Sequence, residues 1–419
     1  MNRSAAQLLT RATNDWLLAR EEDLVTAIAC IDLKKAFDTV RHQQLILALF
    51  EIGITGTALQ FLVSYLSGRQ QRVMTNNDVS PYLPVSSGVP QGTILGPLLF
   101  NIYVRHLPST AGAHGCKLPM FADDMTLYAS KKTHSEAAAS VTAALASLSS
   151  DLAVLGLSVN PVKTVAMFVS KKPLPKAPPQ IVLKNQPLVV VENTRILGVI
   201  VDSRLSWTSH IDNIVGKVCK KIGVLRRSFR QLSCSAKRQF LLSVILPDLL
   251  YCCFTFMTQL SAKDRNRLSS LFRKSVRAAC GAPFREDVLP LLKHLSLLPF
   301  EHYLVVAFAK FVHKNYIVNP LPCLTSLFKP YQSTSTSRTR SHSNRALAVY
   351  KFRSSDGINS FSNRAALFFN ALPVEWRTQP RRSHFAQQLH KLLSDPAVFR
   401  NLFDLLLIWE CVFPIVLTD

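Results

Sequence analysis

Short apolar runs alternate with helical patterns over the first half of the chain. Residues 25–31 (VTAIACI) form an apolar run of the length of one buried strand, and Asp32 follows directly. Two further apolar runs, 118–120 and 125–128, flank the sequence Phe-Ala-Asp-Asp at 121–124, which is the pattern of a hairpin. Similar patterns predict strands at 70–74, 165–169, 181–183, 188–191 and 195–201, and helices at 43–51, 57–66, 98–107 and 136–155.

The pattern becomes helical from about Thr208 and stays so to about residue 315. Apolar side chains recur there at helical spacing, namely Ile211, Ile214, Val215, Val218 and Ile222. Residues 333–344 (STSTSRTRSHSN) are polar and of low complexity, which predicts a linker without a core. A small helical tail is expected from residue 360. The last apolar stretch, 402–417, contains two acids and a proline, which favours a packed terminal helix over a membrane span.

The chain is strongly basic. Its 419 residues leave room for two or three domains, and 49 Lys and Arg against 26 Asp and Glu give a net charge of +23. Such a surplus indicates a polyanionic partner, most simply nucleic acid, although a basic protein without such a partner is the alternative. The excess is concentrated at 217–238, where Lys217, Lys220, Lys221, Arg226, Arg227, Arg230, Lys237 and Arg238 occur without any acid.

The cysteines and the N-terminus narrow the class of protein further. No pair of the nine cysteines has Cys-x-x-Cys spacing, so the sequence predicts no zinc site and favours free thiols in a reducing compartment. The first residues (MNRSAAQLLTRATNDW) lack the apolar core of a signal peptide.

Two adjacent carboxylates, Asp123 and Asp124, occupy the predicted hairpin tip. Like charges this close are unfavourable unless a cation neutralises them, and paired carboxylates with Mg²⁺ serve nucleotidyl transfer. The alternative is a plain turn, since Asp is a favoured turn residue. A third carboxylate, Asp32, follows the buried strand; alone it could simply cap the next helix. Together the three could converge on two cations.

Five segments in this order resemble the palm of a reverse transcriptase from a non-LTR (LINE-like) retrotransposon, over roughly residues 24–207. IDLKKAFDTVRH resembles motif A, SGVPQGTILGPLLFNIYV motif B and FADDMTLYA motif C; LGLSVNPVKTVAMF resembles motif D and TRILGVIVDSRLSW motif E, the primer grip. SFSNRAALFFNALPVEW, at 360–376, resembles a segment near the C-terminus of such elements. Phe121 stands where the commoner motif has Tyr, which loses only a hydroxyl.

The resemblance implies an α+β fold. A polymerase palm, with a mainly antiparallel sheet and helices on one face, would be followed by an all-helical thumb and a C-terminal helical tail. The expected domains are a palm at 1–207, a thumb or connection at 208–325, a polar linker at 326–359 and a small helical region at 360–419. Only 31 residues precede Asp32, so the fingers and the endonuclease domain are expected to be missing.

The resemblance also implies a site for two-metal nucleotidyl transfer onto a primer 3′-hydroxyl. Asp32 and Asp123 match the principal metal ligands and Asp124 the second motif C aspartate, and the backbone carbonyl of Leu33 is expected to contact a metal. The ion would be Mg²⁺, with Mn²⁺ as the alternative. Lys163 matches the motif D lysine, which would assist pyrophosphate departure; a surface lysine is the alternative.

Other positions would contact the nucleotide and the nucleic acids. Phe37 matches the steric gate that selects deoxynucleotides, against ordinary core packing as the alternative. Gln91 and Gly92 would lie near the incoming nucleotide and the template, or form only a turn. The primer grip would be Leu197 and Gly198. Phosphates of an RNA–DNA hybrid would meet a basic helix face, unless that face is merely solvated: Lys217, Lys220, Lys221, Arg226, Arg227 and Arg230.

The implied partners are an RNA template, a DNA primer and dNTPs, with no membrane. An intracellular setting follows, with the nucleus as the compartment for target-primed integration. An alternative is a catalytically inactive, basic nucleic-acid-binding remnant of such an element. A palm of the maturase or telomerase type is a third option, against which the GVPQGTILGP and AFDTV segments argue.

Overall fold

The structure is a computed structural model that describes residues 4–228, 230–330, 346–393 and 395–407. The polar stretch 333–344 and the chain from 408 onward, which were predicted to be a linker and the end of a terminal helix, lie outside these residues. Internal contacts divide the chain into two compact units. The sheet unit comprises Asp23–Leu197, and the helical unit comprises Met1–Glu22 with Gly198–Asp419.

The strands and helices of the described residues are numbered in chain order. The strands are β1 Val25–Ile31, β2 Gln70–Gln71, β3 Leu83–Pro84, β4 Met120–Phe121, β5 Asp124–Lys131, β6 Val165–Val169, β7 Val182–Leu183, β8 Gln186–Pro187, β9 Val189–Val190, β10 Asn193–Ile196 and β11 Val199–Asp202. The helices up to residue 256 are α1 Ala5–Glu21, α2 His42–Glu51, α3 Gly56–Leu66, α4 Leu95–Tyr103, α5 Leu107–Ala113, α6 His134–Val154, α7 Thr208–Ser228, α8 Cys234–Phe240, α9 Leu246–Leu250 and α10 Cys253–Phe256. The later helices are α11 Ala262–Cys280, α12 Val288–His294, α13 Phe300–His313, α14 Ser355–Ile358, α15 Phe361–Ala371, α16 Val374–Arg377, α17 Arg382–Leu392 and α18 Pro396–Leu407.

The sheet unit is built on the strand order β4-β5-β1-β6-β9. The first three pairings are antiparallel and β6 pairs with β9 in parallel, so the predicted mainly antiparallel sheet is confirmed. Alternate residues of β1, which are Val25, Ala27, Ala29 and Ile31, belong to one apolar core with side chains of α2, α4, α5 and α6. This alternation follows from the twofold side-chain period of a strand, and it fixes the register that positions Asp32.

The helical unit packs helices around aromatic side chains. Helix α7 packs against α11, and α13 packs against α15, α17 and α18. The N-terminal helix α1 lies with α10, α14 and α15 in this unit, starting with a capping box between Ser4 and Gln7. The sequence patterns did not predict α1. The expected palm at 1–207 differs from this contact division at both ends, and the assignment of palm, thumb and linker stays a prediction.

Three predicted element bounds change for physical reasons. The predicted helix 98–107 begins earlier, as α4, because Pro97 occupies the first turn, where its missing N–H has no intrahelical acceptor. The predicted strand 195–201 is interrupted at Leu197 and Gly198, which both have positive φ. The predicted strand 70–74 retains only β2 and an isolated bridge between Met74 and Val79.

Among the residues that the structure describes, two helical stretches are long and apolar enough to cross a membrane by length and composition, His134–Val154 and Cys234–Gln259. The first is α6, whose Ala and Leu face packs on β1 and β5, so its apolar composition is accounted for by the core of the sheet unit.

Candidate active site

The carboxylate pair lies on a tight hairpin at one edge of the sheet. Phe121 of β4 pairs with Asp124 of β5, which leaves Ala122 and Asp123 as the two central turn residues. Ala122 has a φ of 54°, and Asp123 is not among the positive-φ residues, the pattern of a type II′ hairpin turn. Glycine is the residue that usually supplies this φ, so Ala122 carries local strain. The turn presents Asp123 and Asp124 side by side.

Asp32 reaches the same edge from β1. Ile31 pairs with Met125, so the antiparallel register continues from this pair toward Asp32 and Asp124. The segment 157–164 fixes the backbone here from the other side. The Asp32 N–H donates to Thr164 Oγ1 (3.3 Å), the Asp32 carbonyl accepts from the Asn160 N–H (2.8 Å), and Leu33 forms a bridge with Val159. Asp32 and the Leu33 carbonyl are therefore placed by backbone pairing with the motif D segment.

The three carboxylates act on one another electrostatically. Partial burial of the Asp124 carboxyl group raises its pKa, although the residue as a whole is exposed to solvent. The neighbouring negative charges of Asp123 and Asp32 raise the pKa further. Asp32 and Asp123 are each half-buried. The structure thus brings together the three acids that the sequence singled out, in an arrangement that favours either a proton or a cation.

The carboxylates do not form a closed metal cage. Among the described residues, no group of three or more His, Cys, Asp and Glu side chains is arranged to hold a metal ion by itself. Mg²⁺ usually takes only one or two protein carboxylates and completes its shell with waters and substrate phosphates. Hard carboxylate oxygens that repel one another therefore fit Mg²⁺ or Mn²⁺ bound jointly with a triphosphate.

Motif B is packed directly onto motif A through Gly88. The Gly88 N–H donates to the Val40 carbonyl (2.8 Å), and the Gly88 carbonyl lies 2.8 Å from His42 Nε2. A Cβ at this position would lie 2.9 Å from the Asp38 Cα and carbonyl oxygen, and the φ of 90° also requires glycine. The glycine predicted from the sequence to be important here is Gly92 instead. Gly92 has a φ of 76°, but a Cβ there would meet nothing within 4 Å.

The expected nucleotide-contacting side chains are held by partners within the two motifs. Gln91 donates from Nε2 to Asp38 Oδ1 (2.8 Å), so Asp38 orients the exposed Gln91 amide. The Phe37 ring stacks on Phe100 with centroids 4.7 Å apart, and Phe37 remains half-buried. Phe37 thus packs on the core and also keeps part of its ring exposed, so both interpretations of this residue fit the structure.

Lys163 and the primer-grip pair lie at turns. Lys163 is exposed and directly precedes Thr164, the residue that holds the Asp32 N–H. Leu197 and Gly198 have φ angles of 48° and 83° and connect β10 with β11. A positive φ is unusual for leucine and marks a constrained turn. The role of Lys163 in pyrophosphate departure stays a prediction.

The basic residues of α7 fall on its outer face, in the helical unit. His210, Ile211, Ile214, Val218, Ile222 and Leu225 are the buried side. Lys217, Lys220, Arg226 and Arg227 are exposed, as is Arg230 just beyond the helix. Lys221 differs, because its Nζ lies 2.6 Å from Asp248 Oδ2 and donates to the Val244 carbonyl (2.9 Å). This internal ion pair makes Lys221 less available to phosphates than its neighbours.

Several residues that form the site were not predicted from the sequence. Thr164 Oγ1 and the backbone N–H of Asn160 hold Asp32, Gly88 seats motif B, and Asp38 orients Gln91. The sequence did indicate a turn at Gly88, since this residue begins the run GVPQG. The sequence did not show that the backbone of Asp38 lies against it.

The first half of the chain is similar to a known protein family. Residues 4–201 match the family described as reverse transcriptase (RNA-dependent DNA polymerase). The chain carries a reverse transcriptase domain. It is 27% identical over 303 residues to the probable RNA-directed DNA polymerase from transposon BS of Drosophila melanogaster, which covers 70% of this chain and 33% of that protein.

Other relatives of the reverse transcriptase domain come from mobile elements as well. The RNA-directed DNA polymerase from mobile element jockey of Drosophila funebris is 23% identical over 285 residues, covering 66% of this chain and 31% of that protein. The Pol polyprotein from type-1 retrotransposable element R2 of Popillia japonica is 26% identical over 187 residues, covering 41% and 30%. The chain spans about a third of the length of these relatives. The predicted resemblance to reverse transcriptases of non-LTR retrotransposons is confirmed for residues 4–201.

Proposed function

We propose that the reverse transcriptase domain is catalytic and extends a DNA primer along an RNA template with dNTPs. The observation that carries this proposal is the convergence of Asp32, Asp123 and Asp124 at one sheet edge, where partial burial and then the charges of Asp123 and Asp32 raise the pKa of Asp124. A structural turn has no need of a third carboxylate brought there by another strand. A cation shared with a triphosphate would relieve this repulsion.

The carboxylates of Asp32, Asp123 and Asp124 and the carbonyl of Leu33 would hold Mg²⁺ or Mn²⁺. When bound, such ions lower the pKa of the primer 3′-hydroxyl and neutralise the leaving pyrophosphate. Thr164 and Asn160 hold the Asp32 backbone in place for this task. Lys163, next to Thr164, would supply positive charge or a proton to the departing pyrophosphate.

The remaining residues would position substrates. The half-exposed Phe37 ring, supported by Phe100, would occupy the space of a ribose 2′-hydroxyl and select deoxynucleotides. Gln91, oriented by Asp38, would contact the base pair being formed, and Gly92 keeps that side open. Leu197 and Gly198 would support the primer end.

The outer face of α7 would bind the RNA–DNA hybrid as a thumb, with the sheet unit as the palm. Lys217, Lys220, Arg226, Arg227 and Arg230 supply charges to phosphates without reading sequence. Lys221 would contribute less, because Asp248 neutralises it.

Primer extension by the purified chain tests the proposal. The substrates are poly(rA)/oligo(dT), dTTP and Mg²⁺ or Mn²⁺, and the variant is Asp123→Ala. Asp23→Asn is the matched control, because it removes an exposed acid at the start of the sheet unit whose positive φ asparagine accepts. Extension by wild type and D23N, with none by D123A, supports the enzyme. No extension by wild type, with salt-sensitive hybrid binding retained, would favour the inactive nucleic-acid-binding remnant.

A further inference from the structure

The hairpin that follows α3 is exposed on both of its faces. It comprises residues 69–85, with β2 and β3 as its base, and is called here the arginine hairpin. Its large apolar side chains are open to solvent, with Val73 68%, Met74 66%, Tyr82 57% and Leu83 60% exposed. A two-stranded hairpin with apolar residues exposed on it is marginally stable alone, so it is a candidate surface for a binding partner.

Two arginines on this hairpin are held over tyrosine rings. The register that pairs Gln70 with Pro84 and Gln71 with Leu83 puts Arg72 opposite Tyr82, and the Arg72 guanidinium lies 4.6 Å from the centre of that ring. The Arg69 guanidinium lies 5.4 Å from the ring centre of Tyr65. Arg69 Nη1 also donates to the Tyr65 carbonyl (3.5 Å), so the ring contact and this hydrogen bond together order the Arg69 side chain.

The hairpin is tied to the motif B turn. Tyr65, which supports Arg69, donates its hydroxyl to Thr93 Oγ1 (3.2 Å), and Thr93 Oγ1 donates to the Pro90 carbonyl (2.8 Å). Pro90 directly precedes Gln91. Arg69 is therefore connected by two hydrogen bonds and one ring contact to the turn that carries Gln91 and Gly92.

The charged side chains of the arginine hairpin indicate which class of molecule it binds. Between residues 67 and 87 the charged side chains are Arg69, Arg72 and Asp78. Asp78 lies in the distal turn, where its carbonyl accepts from the Thr75 N–H (2.8 Å), so the end near motif B carries only positive charge. Ordered arginines beside an exposed aromatic ring are typical of surfaces that bind single-stranded nucleic acid, with phosphates on the arginines and a base on the ring.

We propose that the arginine hairpin binds the unpaired template strand as it approaches Gln91 and Gly92. Arg69 and Arg72 contact its phosphates, and a base stacks at Tyr82. This inference rests on the proposed function, because it presupposes a nucleic-acid template at motif B. It adds a binding site to that function, since the hybrid would be held by α7 and the single strand by the hairpin.

Equilibrium binding without divalent ions tests the hairpin separately from catalysis. Fluorescence anisotropy in EDTA would compare a blunt RNA–DNA hybrid with the same hybrid carrying an unpaired 5′ template extension of roughly six nucleotides. The variants are R69Q/R72Q, Y82A and Y82F. The matched control is K176Q/K184Q, which removes two exposed positive charges elsewhere in the sheet unit.

Wild type should bind the extended hybrid about tenfold more tightly than the blunt one, as expected for one stacked base with phosphate contacts. R69Q/R72Q should lose this preference while keeping its affinity for the blunt hybrid, and K176Q/K184Q should keep both. The slope of log affinity against log salt for the extended hybrid should become less negative by about 1.4, which is roughly 0.7 for each lost single-strand phosphate contact. Y82F should retain the preference and Y82A should reduce it.

Equal binding of blunt and extended hybrids by wild type would overturn the inference. So would an equal loss on both hybrids in R69Q/R72Q, because that result indicates general electrostatic attraction. A protein that fails to extend a primer but shows the hairpin-dependent preference would refute the catalytic proposal alone. A protein that extends primers without this preference would refute the hairpin alone.

Discussion

The two units hold their interiors together by different means. The sheet unit is built from alternating apolar residues whose positions are fixed by backbone pairing, and its site residues follow from that register. The helical unit also has an apolar and aromatic core, but in addition it buries polar side chains that pair across long sequence separations. The comparison shows that the pattern of apolar residues specifies the sheet and its edge, whereas the polar contacts that anchor a helix such as α1 have no local pattern in the sequence.

The N-terminal helix α1 is the clearest case in the helical unit. Gln7, Thr10, Thr13 and Asn14 are all buried on it. Gln7 donates to Asn315, the Thr10 and Thr255 hydroxyls lie 3.2 Å apart, and the Ser362 N–H donates to Asn14 (2.9 Å). The partner segment of Asn14 is the stretch 360–376, for which no catalytic role was predicted. It serves as a packing partner of α1 in this unit.

The largest expected effect concerns the seat of motif B in the sheet unit. Gly88→Ala should lower primer extension by about 100-fold, because a Cβ cannot fit against Asp38 and the displaced turn carries Gln91. The strained φ and the overlap should also cost about 2–4 kcal/mol of unfolding free energy. Primer extension and urea unfolding measure the two effects.

Gly92→Ala is the matched control for the unfolding free energy, since its φ is similar but its surroundings are open. It should cost only about 1 kcal/mol. Equal effects of the two substitutions would show that the close approach of Gly88 to motif A is unimportant.

The next effect separates selectivity from packing at Phe37. Phe37→Val should raise the incorporation of ribonucleotides relative to deoxynucleotides by roughly 10- to 100-fold, because the ring would no longer fill the 2′ position. Single-nucleotide incorporation with paired dNTP and rNTP measures the ratio. Phe100→Leu, which removes the stacking partner but keeps the Phe37 ring, should change the ratio much less. An unchanged ratio in F37V, together with lower stability, would make Phe37 a core residue only.

The same contrast explains how much the sequence could predict. The apolar run before Asp32 and the two apolar runs around Asp123 predicted the central strands. The resemblance to reverse transcriptases predicted that the acids at the ends of these strands bind metal. The contacts that the Thr164 hydroxyl and the Asn160 backbone N–H make with Asp32 were not predicted, because a hydrogen bond between distant segments has no local sequence pattern. The bounds of two elements were predicted wrongly. Pro97 lies in the first turn of α4 and Leu197 lies in the turn between β10 and β11, and composition alone does not reveal either position.

A double-mutant cycle tests the polar anchoring of α1. Thr10→Val and Thr255→Val should each cost about 1–2 kcal/mol, because each leaves one buried hydroxyl without its partner. The double variant should cost about 1 kcal/mol less than the sum of the two. Tryptophan fluorescence during urea unfolding is a selective probe, since residues 23–197 contain no tryptophan and Trp16 and Trp207 are buried in the helical unit. Strictly additive costs would show that the two hydroxyls are not coupled.

The smallest expected effect concerns Asp124 in the sheet unit. Its carboxylate is expected to lower the stability of the folded protein while serving the proposed metal site. Asp124→Asn removes the repulsion with Asp123 and Asp32 and should raise the melting temperature in EDTA at neutral pH by about 1–3 °C, measured by scanning calorimetry. The control variant D23N should leave the melting temperature unchanged.

The same substitution changes the pH dependence of stability. Because the pKa of Asp124 in the folded protein lies above the ordinary value of 3.8, the folded protein binds more protons than the unfolded chain at pH values between these two pKa values. Wild-type stability should therefore fall as pH rises through that interval, and D124N should lack this fall. Mg²⁺ should reduce the difference between the two proteins, because a bound cation neutralises the repulsion that the substitution removes. A lower melting temperature for D124N would mean that the carboxylate makes a net favourable contact, and would remove the electrostatic argument for a cation at this edge.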